Sequence, residues 1–171
     1  MHRVIVSFLS IILFFSNLAS AAVLNDRVNG YKLEYPDNWK TEEFFNSQDL
    51  VKANILKDKV TGIQVRLESG RNLDFNGFKE WYVGDFINQM QGRWGGSINI
   101  IDQGCVLLAG RTGYFFSLDM LREDKQRRFF KIFLIPDKKN ILVLQCGTFF
   151  NERQQNEPII NAIAGSVVLT N

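Results

Sequence analysis

Three of the chain's Phe-Phe doublets, those at 115–116, 129–130 and 149–150, limit what it can become. Each lies in an apolar run next to a short polar turn. "TGYFFSLDML" leads into "REDKQ", "RRFFKIFLI" into "PDKK", and "NILVLQCGTFF" follows. Runs joined by turns this short pair as antiparallel neighbours. Adjacent strand residues point to opposite faces, so each doublet should place one ring on each side of the sheet. A sheet that is apolar on both faces must be covered on both. That argues against a sheet with one wet face and against a barrel around an empty lumen.

Two segments have the pattern of covers. In "NGFKEWYVGDFINQMQGRWGG", Phe78, Trp81, Tyr82, Phe86, Met90 and Trp94 recur at steps of three and four, one stripe along a helix. Asn76 is the expected N-cap and Gly95-Gly96 the expected stop. An aromatic stripe could serve as a ligand platform, but a helix packed on a sheet has the same spacing and is the reading adopted. The closing segment "NEPIINAIAGSVV" supplies the second cover, with Pro158 expected in its first turn. The fold class expected from the residues is therefore α+β, an antiparallel sheet sandwiched between helices.

Ahead of the long helix, Asn29-Gly30 is a hairpin signal leading into "YKLEY". There Tyr31, Leu33 and Tyr35 alternate with Lys32 and Glu34, the period of a half-buried strand. Pro36 lacks an N–H and ends the ladder, and Asp37-Asn38 favour turn geometry. Trp39 then opens the next strand, its ring expected to seal the end of the sandwich. "VKANILKD" and "GIQVRLES" form a second hairpin over "KDKVTG". "INIIDQGCVLLA", turning at Gly110, starts the final meander.

The stretch "GYKLEYP" followed directly by "DNW" resembles the opening of the PsbP-like family, a Gly-aromatic-x-x-x-x-Tyr-Pro-x-x-Trp pattern. That family includes the Mog-type Ran-binding proteins and the bacterial periplasmic DcrB-type proteins. The aromatic helix before a long meander and the closing "IINAIAGSVVL" helix resemble it too, so the likeness spans the chain after its leader. The resemblance implies an α/β/α sandwich on an antiparallel sheet. It also implies no catalytic residues, since such proteins act by docking on other proteins, a photosystem in one branch and a small GTPase in another. It carries no partner over to this chain.

The N-terminal "MHRVIVSFLSIILFFSNLASAA" has the three parts of a secretory signal. Arg3 gives the positive start, Val4 to Phe15 an apolar core, and Ala19-Ser20-Ala21 the small side chains for cleavage. The core is short against the roughly 20 residues of a membrane-spanning helix. Residues 1–21 are expected to be a signal peptide and 22–171 a single domain, with Ala22 the alternative last residue of the leader. Export to the periplasm or beyond, with no transmembrane anchor after cleavage, is the expectation. The chain's one histidine is His2, inside that leader. Histidine-based triads and histidine zinc sites are therefore excluded from the mature domain. The formal net charge of +2 argues against a dedicated grip on nucleic acid. No cofactor or metal is expected.

Candidate sites are few. Cys105 and Cys146 could bridge in an oxidising compartment. Counting back through the meander, however, sets Cys146 opposite about residue 130, then 118, then 102, some 14 Å from Cys105 at roughly 4.8 Å per strand. Both are expected as free, buried thiols. "REDKQRRFFK" gathers Arg122, Lys125, Arg127, Arg128 and Lys131, either a docking patch for an acidic partner or lipid head groups, or simply a solvated hairpin tip. Glu42-Glu43 and Asp119 with Glu123 are the only hints of paired carboxylates. The expected function is non-enzymatic docking on a protein or other envelope component, with Asp37, Asn38, Trp39, Arg127 and Arg128 as binding nominees. The alternatives are a small apolar-ligand carrier using Trp81 and Trp94, and a carboxylate- or lysine-based hydrolase in an end cleft.

Overall fold

In the computed structural model, which describes residues 20–46 and 49–170 and their side chains outside 43–52, the strand periodicity becomes two sheets. The expected leader thus lies outside the described residues, apart from its last two positions. The first hairpin pairs β1 (Ala21–Asp26) with β2 (Tyr31–Pro36), and β10 (Val168–Leu169) joins the other edge of β2. The Asp26 carboxylate accepts from the amides of Val28 (3.0 Å) and Asn29 (2.9 Å), and Gly30 takes the left-handed φ of +70° that this turn needs.

The large sheet has the order β3-β4-β5-β9-β8-β7-β6. Its strands are β3 (Lys40–Asn46), β4 (Asp49–Leu56), β5 (Gly62–Ser69), β6 (Ser97–Leu108), β7 (Arg111–Leu121), β8 (Arg127–Asp137) and β9 (Asn140–Phe149). All its pairings are antiparallel. The helices are α1 (Phe75–Trp94) and α2 (Arg153–Gly165).

Both faces of this sheet are covered over its central strands, as the doublets required, while edge strand β6 leaves Ile100, Ile101 and Leu107 exposed. On one face Phe78, Tyr82, Phe86 and Met90 of α1 pack on Phe116, Leu118, Met120, Phe130 and Ile132. On the other, Ile160, Ile163 and Ala164 of α2 share a core with Leu33 and Tyr35 of β2 and with Ile55, Val65, Phe133 and Leu144. The α+β sandwich is the one expected. The three-stranded sheet that shares the second cover was not foreseen, because alternation tells which face is apolar and not which sheet a strand joins. Trp39, 4% exposed, is the expected core plug of that second face.

The doublets divide as expected. Phe116 and Phe130 face α1, while Phe115 packs toward the opposite core and Phe129 lies under the Arg153 guanidinium at 4.6 Å. At 149–150 the rings part as well, Phe149 under Arg128 on the α1 face and Phe150 under Arg127 on the opposite one, although β9 ends at Phe149 and Phe150 begins a 3-10 turn, Phe150–Glu152.

Two helix starts also differ from expectation. The N-cap of α1 is Asp74, whose Oδ1 accepts from the Gly77 amide at 2.7 Å, and Asn76 is already inside the helix. A carboxylate in that position satisfies an otherwise orphaned N–H and complements the helix dipole. Replacing Asp74 by alanine should therefore cost about 1 kcal/mol, and Asn76→Ala close to nothing. Urea unfolding of the two variants checks this, and equal losses would restore Asn76 as the cap. At the second helix, α2 starts at Arg153, so Pro158 falls beyond the first turn. It is tolerated there because Gln154, whose carbonyl it leaves without a helical partner, is exposed.

The stop of α1 is as expected, with the Gly95 amide donating to the Gln91 carbonyl at 2.9 Å. Gly96, at φ +78°, lets the chain pass so close to β7 that a Cβ would sit 1.9 Å from the Leu121 carbonyl oxygen. That close approach brings the end of α1 against the β7–β8 hairpin. Register sets Lys40, Leu56, Gly62, Gly147, Phe130, Leu118 and Ile100 level across the large sheet. The turns at 37–39, 57–61 and 122–126 consequently share one end of the sandwich.

Candidate functional site

The β7–β8 hairpin tip is held by its own backbone. The Arg122 amide donates to the Gln126 carbonyl and the Lys125 amide to the Arg122 carbonyl, each at 3.0 Å. Strand alternation then sends Arg127 and Arg128 to opposite faces. Arg127 forks onto Asp119, Nε to Oδ1 at 2.8 Å and Nη2 to Oδ2 at 2.5 Å, and stacks over Phe150 at 3.7 Å. Its charge is thereby matched by a carboxylate.

Arg128 forms no ion pair among the described residues. Its guanidinium lies over the Phe149 ring at 4.2 Å and donates through Nη2 to Gln126 Oε1 at 2.9 Å. Burial, and then the neighbouring Arg122 cation, hold its pKa below the usual guanidinium value. Arg122 sits over Trp94 at 5.5 Å, with Arg93 over the same ring at 5.2 Å. Its Nη2 meets Asp124 Oδ2 at 3.1 Å, but its Nε is buried with no hydrogen-bond partner. Trp94 in turn stacks on Phe130, with centroids 6.1 Å apart and planes at 15°.

These groups line two adjoining clefts. One, of about 200 Å³, is walled by Lys59, Trp94, Met120, Arg122, Arg128 and Phe130. The other, of about 410 Å³, is bounded by Gln91, Arg93, Trp94, Arg122, Glu123 and Asp124. Trp94 and Arg122 belong to both. Beneath them a polar network anchors the β4–β5 turn that carries Lys59. Thr61 Oγ1 lies 3.1 Å from Thr148 Oγ1, Asn156 Nδ2 donates to Thr148 at 2.8 Å, and Lys57 Nζ donates to Asn156 Oδ1 at 3.0 Å. Thr61, Thr148 and Asn156 are all buried. The arrangement offers cations on aromatic supports, suited to holding an anion rather than to moving a proton.

The structure disperses the other nominees. Asp37 and Asn38 are exposed at this same end but four strands away, roughly 19 Å at about 4.8 Å per strand. Trp39, the next residue, is buried in the core, so it offers no binding surface. Lys131, counted with the basic run, points to the α2 face, where it is 7% exposed and donates to Glu157 Oε1 at 2.8 Å. Of the carboxylate pairs, Asp119 is committed to Arg127 and Glu42 is exposed, while the Glu43 side chain lies outside the described residues. Trp81 and Trp94 are both half-buried, and 13 helical residues at about 1.5 Å each put them roughly 20 Å apart, too far to line one small cavity. Among the described residues no cluster of His, Cys, Asp and Glu could hold a metal, and no helix is long and apolar enough to cross a membrane.

The cysteines are free. Cys146 lies opposite Lys131, then Ser117, then Asp102, nearly the expected count. Cys146 is buried, and burial pushes its thiol pKa up. Cys105 is exposed rather than buried, because it lies on edge strand β6, which has a neighbour on one side only. Under native conditions a thiol-alkylating reagent should modify Cys105 at once and Cys146 only after unfolding. Mass spectrometry of the intact protein reads this, and two native adducts would contradict the burial of Cys146.

No family model and no curated protein matches the chain. Solved structures do. Cyanobacterial PsbP from Synechocystis shares 88% of this chain and 93% of its own with a TM-score of 0.68 at 14% identity. The fold is PsbP-like. The Ran-binding protein Mog1p of Saccharomyces cerevisiae has the PsbP-like fold too, with a TM-score of 0.63 over 89% of this chain and 96% of its own at 8% identity. LpqN of Mycobacterium tuberculosis, described as involved in cell envelope biogenesis, follows at 0.56 over 93% of this chain and 95% of its own, with 14% identity. At such identities the PsbP-like fold is what is shared. The expectation drawn from "GYKLEYPDNW" thus holds for the architecture.

Proposed function

We propose that this PsbP-like domain is exported and acts without catalysis, docking on a protein of the cell envelope through the Trp94, Arg122 and Arg128 end of the sandwich. The observation that carries the reading is an imbalance. Both sheet faces are filled over the central strands, while this end presents Arg128, which forms no ion pair among the described residues, and Arg122, which is matched only by the exposed Asp124. Planar guanidiniums resting on aromatic rings are typical of protein recognition surfaces. The leader-like N-terminus supports export. Two proteins of the same fold are described by Ran binding and by cell envelope biogenesis, which fits a docking role in an envelope setting.

The test places a photo-crosslinking amino acid at Gln91, on the rim of the larger cleft, or at Val28, an exposed residue of the β1–β2 turn at the far end. Irradiation in envelope preparations should give one discrete protein adduct from position 91 and none from 28. Equal labelling from both, or no adduct alongside turnover of a small substrate, would overturn the proposal.

A further inference from the structure

Resting on that docking reading, we infer that the partner engages this end with an acidic peptide segment, its carboxylate held between Arg122 and Arg128 and an adjacent apolar side chain laid against Trp94 and Phe130. Three observations lead there. Among the described residues Arg122 is matched only by the exposed Asp124 carboxylate at 3.1 Å, and its buried Nε has no acceptor, so its charge is incompletely compensated within the chain. Two cations line one small cavity, so an anion between them also relieves their mutual repulsion. Both guanidiniums are already positioned, Arg122 by Trp94 and Asp124, Arg128 by Phe149 and Gln126. Little ordering entropy is therefore lost on binding.

Size and charge pattern select the source of that carboxylate. At about 200 Å³ the cavity that both arginines line has room for one side chain of a larger partner, and the adjoining cleft of about 410 Å³ leaves space for the segment that carries it. A phosphate head group would satisfy the same arginines. The rim, however, carries Glu123 and Asp124, which repel a uniformly anionic bilayer and tolerate a single acidic group approaching between them. Trp94, Met120 and Phe130 supply an apolar wall that a bare anion would leave unused.

Trp94 reports occupancy, since it borders both clefts. The full chain is titrated with a synthetic peptide of alternating glutamate and phenylalanine, following tryptophan fluorescence, with Trp94→Phe to assign the signal. The lysine counterpart of that peptide and phosphatidylglycerol vesicles form the other arms. The expected result is saturable binding of the acidic peptide that weakens with salt and about tenfold or more in Arg128→Gln. Arg122→Lys, which keeps the charge but removes the planar fork, should also weaken it. Thermal unfolding confirms that the variants fold. No saturable binding, equal affinity in wild type and both variants, or binding of vesicles in place of peptide would overturn the inference. A Gln91 adduct that survives Arg128→Gln leaves docking standing and removes the acidic anchor, whereas loss of the adduct in the wild-type background removes docking itself.

Discussion

Phe116→Ala is expected to cost about 3–5 kcal/mol, a large part of the roughly 5–15 kcal/mol that holds a domain of this size folded. Phe116 is fully buried at the centre of β7. Its ring meets Phe86 edge-on at 6.1 Å and Tyr82 at 6.4 Å, two of the rings by which α1 grips the sheet. Those rings are themselves stacked at 6.2 Å, so they cannot both shift into the space left by truncation. The loss is then the transfer term plus an uncollapsed cavity. Phe115, its neighbour in sequence, faces the other core and is only half-buried, so Phe115→Ala should cost clearly less. Urea unfolding of both variants decides the matter. Equal losses would mean that α1 does not pack on β7 as described.

The second large effect concerns Glu157. Its carboxylate receives Lys131 Nζ on Oε1 and Arg153 Nε on Oε2, both at 2.8 Å. Lys131 is buried, lying 4.9 Å from the centre of the Phe115 ring, and this carboxylate is its ion-pair partner. Burial alone would raise the pKa of Glu157, but the hydrogen bonds and charges of Lys131 and Arg153 outweigh it and hold the group below its ordinary value. A carboxylate whose pKa is lower folded than unfolded contributes stability above the unfolded pKa and loses it as pH falls through the folded one. Glu157→Gln should therefore cost about 2–3 kcal/mol near neutral pH, discounted from a fully buried pair because Glu157 keeps some exposure. The gap to wild type should close in acid, where the wild-type carboxyl is protonated as well. Lys131→Met removes the buried cation and leaves Glu157 paired with Arg153 at 2.8 Å, so it should cost less. Unfolding measured across the acid range reads the sign. A gap that persists below the carboxylate range would show that shape, not charge, makes Glu157 important.

The two arginines of the hairpin show where reading the sequence stopped short. Arg127 and Arg128 stand together in the chain and were nominated together, yet one neutralises Asp119 on the α2 face and the other joins the cleft on the α1 face. The alternation that split Phe115 from Phe116 splits them too, and applied to the basic run it separates Lys131 from Arg128 as well. That signal was present in the sequence. The one for Lys59 was not, since nothing local to the β4–β5 turn places it opposite Trp94. Trp94 itself was legible as the end of an apolar stripe with Arg93 beside it, but not as a shelf for Arg122.

What this chain determined by itself follows from geometry that repeats every two or three to four residues. The two-sided sheet, its meander, the stripe of α1 and the separation of Cys105 from Cys146 all follow from pleat, helical turn and short polar connections. The Asp74 cap, the separate sheet of β1, β2 and β10, the burial of Lys131 and the meeting of Trp94 with Arg122, Arg128 and Lys59 were decided only in three dimensions. Each depends on which of several chemically adequate partners comes within hydrogen-bonding or stacking distance. For a side chain pointing out of a strand or turn, that choice belongs to segments distant in the chain, and folding brings them together.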